Sequence, residues 1–112
     1  MNKLRELKVL NLSQKSFYGK AMIKETEDEI TLYSYGTPIV TVDALYGEIT
    51  VHWDGWSITT GKHLKEFFLQ LLWIPCDKKL WDRIRSGEIA TVREINQMIK
   101  NGELEQVSQL SF

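Results

Sequence analysis

The sequence is short of most features that mark a specialised chain. Its 112 residues include one cysteine, Cys76. No internal disulfide can form, so the apolar core must hold the fold, as in a reducing cytosol. Two prolines and seven glycines are too few for a linker or a low-complexity chain. The most apolar window, Phe67 to Ile74, is broken by Gln70 and spans eight positions, against the ~20 a membrane helix needs. The N-terminal stretch MNKLRELKVLNLS has no unbroken apolar stretch long enough for a signal's core, about seven residues, and no small-residue cleavage site, which predicts no secretory signal. A dominant charge is missing as well. Fourteen basic and fifteen acidic side chains leave a net charge of −1, which argues against a polycation that binds nucleic acid by charge alone.

What is present reads as one soluble, intracellular domain. Hydrophobic residues make up 43% and charged residues 26%, an ordinary globular balance that excludes disorder along the whole length. Charge is unevenly placed. Residues 1–24 carry six basic side chains against Glu6. Residues 25–54 carry seven acidic ones (Glu25, Glu27, Asp28, Glu29, Asp43, Glu48, Asp54) and no Lys or Arg. That acidic segment either engages a basic groove of a partner or only keeps sheet turns soluble.

Periodicity divides the chain. From residue 17 to 53 apolar side chains alternate, the strand signature. Phe17, Gly19, Ala21 and Ile23 share one face, with Tyr18, Lys20, Met22 and Lys24 opposite. Ile30 and Leu32 face away from Thr31, Tyr33 and Tyr35, and Ile49, Val51 and Trp53 line a last strand. Glu25 to Glu29, Gly36-Thr37-Pro38, Tyr46-Gly47 and Asp54-Gly55 read as turns. The period then changes. Leu64, Phe67, Phe68, Leu71 and Leu72 form one helical stripe over about 60–73, capped by Thr59 or Thr60 and stopped by Pro75. Asp77 caps a second helix that stops at Gly87. Thr91 to Glu94 is a capping box that opens a third, stopping at Gly102. Ile84 to Ile89 and Ile99 to Leu104 echo each other, which reads as one helix stop used twice.

The expected fold is therefore α+β, in a single domain over 1–112. An antiparallel four-stranded meander (about 17–53) is packed on one face by the first helix. Two short helices follow in a tail over 76–112. The expected core is Phe17, Ile23, Ile30, Leu32, Ile49, Val51, Trp53, Leu64, Phe67, Phe68 and Leu71, with Trp81 also inside.

No pattern identifies a reaction. His52 and Asp54 lie two apart in a strand, and His63 and Glu66 three apart in a helix, so either histidine could be oriented by a carboxylate. Ser57, Thr59 and Thr60 lie nearby, but no nucleophile elbow surrounds them, and capping explains the threonines better. His63 is expected as a polar flank residue beside Phe67. His52, His63 and Cys76 lack the paired spacing of a zinc site. The glycines form no phosphate cradle, and Gly61-Lys62 at a helix start reads either as a weak anion site through free N–H groups or, more plainly, as a tight turn. Neither cofactor nor metal is expected, and the chain reads as a non-enzyme.

The aromatics carry more information. In the expected phases Tyr18, Tyr33 and Tyr35 point away from the core beside Lys20, Lys24, Thr31 and His52, with Trp56 in the following turn. Such a face can dock a protein or stack bases, or its tyrosines and threonines can simply stabilise the sheet. Tyr18, Lys20, Tyr33, Tyr35, His52 and Trp56 are the candidate partner-binding residues. Glu25, Glu27, Asp28 and Glu29 are the candidate acidic patch. Trp73, off the helical stripe, either meets Trp81 or adds to a partner surface.

Three blocks are distinctive in order and spacing: Ser16 to Ala21, Leu32 to Ile39, and Trp56 to Phe67. Across about residues 9–72 the chain resembles a small family of uncharacterised proteins from bacteriophages and other mobile elements of Gram-positive bacteria. Ile58 departs from the small residue that family carries there. The resemblance implies a short accessory protein in the cytoplasm of a bacterial host, with no activity attached. Together these features lead to a module that binds a host or mobile-element protein, in its sharpest form an inhibitor of a defence system resembling anti-CRISPR proteins. A nucleic-acid-binding accessory protein using Lys15, Lys20, Lys24 and the tyrosines is the alternative. A small hydrolase built on His63 and a threonine ranks third. No membrane association is expected.

Overall fold

A computed structural model describes residues 3–8, 17 and 19–106. Among these residues five strands precede three helices: β1 (Lys3–Glu6), β2 (Ala21–Glu25), β3 (Glu29–Ser34), β4 (Thr37–Asp43), β5 (Ile49–Val51), α1 (Ile58–Leu72), α2 (Lys78–Arg85) and α3 (Val92–Lys100). The strands form one antiparallel sheet in sequence order. The α+β class and the meander agree with the sequence reading, but the sheet has five strands rather than four. The added strand, Lys-Leu-Arg-Glu, has no apolar alternation to announce it. It exists because its register against β2 sets Arg5 beside Ile23 and Leu4 beside Lys24, and because Leu7, just beyond it, enters the core.

Register sorts the side chains into rows. Ile23, Leu32, Val40 and Val51 form one inner row, and Ile30, Val42 and Ile49 another. These rows meet Leu64, Phe67 and Phe68 of α1, Trp81 and Ile84 of α2, and Ile95 and Met98 of α3 in one core cluster. Each fully buried Leu, Ile or Phe contributes about 1.5–3 kcal/mol. Of the expected core, Phe17, Ile23, Leu32, Leu64, Phe67 and Phe68 are buried. Ile30, Ile49, Val51, Trp53 and Leu71 pack partly buried against the same cluster.

A β-bulge interrupts the period in β4. The register shifts between Leu32 and Tyr33, so Ile39 becomes an extra residue between Val40 and Pro38. Ile39 and Val40, neighbours in sequence, are both buried as a result. The Ile39 carbonyl accepts from both His52 N–H (2.9 Å) and Trp53 N–H (3.3 Å), where the chain leaves β5.

Two further expectations are corrected. The turn between β3 and β4 is Tyr35-Gly36, not Gly36-Thr37-Pro38. Both residues have positive φ (52° and 79°), as a two-residue hairpin whose twist matches its strands requires. Thr37 and Pro38 already belong to β4. At the start of α1 the cap is Ser57, whose hydroxyl accepts from Thr60 N–H at 3.0 Å. The helix ends at Leu72, with Trp73 left-handed (φ 61°) two residues ahead of Pro75. The caps Asp77 and Thr91 are found as expected. After the stops at Gly87 and Gly102, Ile89 folds back fully buried and Leu104 partly so.

Candidate functional site

The helices cover one side of the sheet. The core cluster draws on all three of them and on the inner rows, and it includes no residue of the outer rows. One of those outer rows runs across all five strands and the next across four. Leu4, Lys24, Thr31, Thr41 and Thr50 are successive partners from β1 to β5, and Glu6, Met22, Tyr33 and Pro38 form the next row. Leu4 is 66% exposed, Thr50 and His52 are exposed, and Met22, Lys24 and Tyr33 are half-buried.

The centre of this face is a chain of polar contacts. The Thr31 and Thr41 hydroxyls lie 2.7 Å apart, and Thr41 Oγ1 lies 2.7 Å from His52 Nε2. The two threonines are buried, so their hydroxyls need each other. The contact ties the His52 ring to the Thr41 hydroxyl. His52 is therefore held by a hydroxyl rather than by Asp54.

A second polar group lies on the opposite side, between sheet and helix. Ser34 Oγ is 2.8 Å from His63 Nδ1 and 3.1 Å from Thr60 Oγ1. His63 is 1% exposed, which corrects its expected place on the helix flank. The Phe17 ring meets it edge-on at 4.5 Å between centroids, and Tyr35 lies against it at 5.8 Å. Burial pushes the imidazole below its ordinary pKa and favours the neutral ring. Serine, threonine and histidine thus join β3 to α1, with their hydrogen bonds spent inside the core.

The acidic residues gather at one end of the sheet. Ala44 N–H donates to the Asp28 carbonyl at 2.6 Å, which sets the β2–β3 turn beside the β4–β5 turn. Asp43 and Glu48, far from Glu25 to Glu29 in sequence, join them there. Glu29 stands directly opposite Asp43, and Asp43 N–H donates to the Glu48 carbonyl. Glu25 is drawn aside by Arg5 at 3.3 Å, with both side chains about half exposed.

The expected partner-binding residues are divided by these positions. Tyr33 and His52 share the open face. Tyr35, expected beside Tyr33, sits instead in the hairpin turn and leans toward His63 on the α1 side, while remaining 59% exposed. The left-handed turn residue no longer follows the strand's alternation. Lys20 is exposed next to that turn, its carbonyl accepting from Tyr35 N–H at 2.7 Å. Trp56 is half-buried with its ring over Gly61, where an added Cβ would come within 2.5 Å of it. Tyr18 and Lys15 lie outside the described residues. Sequence reasoning missed Leu45 and Tyr46, which are 76% and 74% exposed at the β4–β5 turn. Two large apolar residues inside a turn were the available signal. It also missed Ser34, whose role depends on which face it occupies. Among the described residues, no cluster of three or more His, Cys, Asp or Glu side chains is arranged to hold a metal ion. No helix among them is long and apolar enough to cross a membrane.

A family model described as a family of unknown function (DUF8033) matches residues 5–83, most of the chain, and the chain belongs to that family. The match takes in the second half of β1, the other four strands, α1 and most of α2. No curated protein and no solved structure matches.

Proposed function

We propose that this protein is a non-enzymatic binding module that docks on another protein through the face of its sheet opposite the three helices. The observation that carries the reading is the arrangement of that face. A surface five strands wide contributes nothing to the core that the three helices cover, and Leu4, Lys24, Tyr33, Thr50 and His52 stand on it around a hydrogen-bonded pair of threonines. Partly exposed aromatic and basic side chains grouped on a sheet are what a binding hot spot requires. The burial of Ser34, Thr60 and His63 supports the non-enzymatic part, because these are the groups a hydrolase would use and they are spent on one another. In its sharper form the protein is an accessory factor of a bacteriophage or other mobile element that inhibits a defence effector of its host. That form rests on the resemblance of its three sequence blocks and on its small size.

The test is affinity capture from a bacterial lysate at low salt, comparing the wild type with Lys24→Glu, Tyr33→Ala and His52→Ala combined. A stoichiometric protein partner that the wild type holds and the variant loses, at unchanged denaturation midpoint, is the expected result. Equal capture by both, or no partner, removes the reading. Lys24 and Tyr33 favour one alternative, a single-stranded nucleic acid on the same face. Oligonucleotide binding that weakens steeply with salt and fails in the variant would select it.

A further inference from the structure

The second surface is the β4–β5 turn, on the end of the sheet rather than its face. Leu45 and Tyr46 are the most exposed large apolar residues there, yet the turn that carries them is closely held. Asp43 anchors it three ways. Its carboxylate accepts from Tyr46 N–H, its carbonyl accepts from Gly47 N–H at 3.0 Å, and its own N–H donates to the Glu48 carbonyl at 2.9 Å. From the far side the Gly47 carbonyl accepts from Val92 N–H at 2.8 Å, and Glu48 bridges to Thr91. A loop so fixed has little entropy left to lose on binding. Leu45, Tyr46, Glu48, Thr91 and Arg93 line a hollow of about 340 Å³ beside it.

The charges around this turn identify what would cover it. Asp28, Glu29, Asp43 and Glu48 surround the turn, and Glu29 faces Asp43 directly across the strands. Like charges in that position cost stability in the free protein. A basic partner would relieve that cost.

We propose that the Leu45-Tyr46 turn is the anchor of a second docking surface, which takes a Lys/Arg-rich segment of another protein with an apolar side chain inserted into the hollow. The acidic rim draws the segment in, and the two apolar side chains provide the contact area. Arg93, the basic side chain in the lining, opposes such a ligand and moderates its affinity. The surface does not depend on the open face, so the two readings can fail separately.

The probe is a capped peptide with a leucine–tryptophan pair flanked on each side by two arginines. It is titrated into the isotope-labelled full chain and followed by backbone amide shifts. Expected shifts fall at residues 26–29, 43–48 and 91–93. Leu45→Ser with Tyr46→Ser should weaken binding by at least about tenfold, Arg93→Ala should strengthen it, and the triple variant of the open face should leave it unchanged. Both serine substitutions are at exposed positions and preserve the fold. Shifts elsewhere, undiminished binding by the serine variant, equal binding of a peptide with glutamates for arginines, or no binding at millimolar peptide would each overturn the proposal.

Discussion

Ser34 Oγ and His63 Nδ1 lie 2.8 Å apart between β3 and α1, a hydrogen bond that spans twenty-nine residues and is sealed from solvent. It makes the sheet and its covering helix one unit, because without Ser34 the His63 Nδ1 would lose its hydrogen-bond partner inside the core. Ser34→Ala should therefore lower unfolding stability by about 1–3 kcal/mol. Equilibrium denaturation of the purified variant measures this. A midpoint equal to that of the wild type would show the bond to be of no consequence.

The same histidine makes stability depend on pH. Its folded pKa lies below its unfolded value of about 6.5, because burial disfavours the charged ring. The unfolded chain then binds the extra proton as pH falls. The contribution of His63 is complete above the unfolded pKa and is lost as pH drops through 6.5 toward the folded value. Denaturant midpoints measured from pH 8 down to pH 5 should fall over that window. His63→Gln, which keeps a polar group but does not titrate, should flatten the profile there.

Cys76 is 1% exposed, and burial followed by the neighbouring Asp77 charge pushes its thiol well above the ordinary range. A buried neutral thiol is a poor nucleophile. Iodoacetamide should leave it unmodified in the native protein and alkylate it fully in denaturant. Mass spectrometry of the labelled chain then reports global unfolding from a single site.

Two glycines with similar backbone angles should respond differently to substitution. Gly36 has φ 79° and open space where a Cβ would lie. At Gly47, φ 68°, a Cβ would come within 3.0 Å of Val92 Cβ. Gly36→Ala pays backbone strain alone, about 1–2 kcal/mol. Gly47→Ala adds a steric clash that pushes α3 from the turn, for a total of about 2–4 kcal/mol. Thermal melts of the pair should rank Gly47→Ala as the less stable. The reverse order would mean that the turn is not held against α3.

The parts of this fold that depend on near neighbours were legible before any coordinates. The stripe of Leu64, Phe67 and Phe68, the caps Asp77 and Thr91, and the fold-back of Ile89 after Gly87 each involve residues within a few positions of one another. Helical and strand periods act over that range. Sheet pairing acts over longer separations. β1 has no pattern of its own and is a strand because β2 lies eighteen residues further on and offers an edge.

The candidate surfaces divide along the same line. That Tyr33 and His52 share a face follows from counting by twos along their strands, and it stands in the structure. Tyr35 fails the same count because a left-handed turn residue begins there, and Ile39 and Val40 escape it because the bulge adds one residue. Composition and local pattern could place seven acids in residues 25–54. They could not show that Asp28 would lie against Ala44, bringing Glu29, Asp43 and Glu48 around Leu45 and Tyr46. The residue sequence settles which side chains alternate or recur along an element, since backbone geometry repeats over short distances. Which elements meet, and in what register, is settled only when burial and hydrogen bonding across the whole chain select one packing.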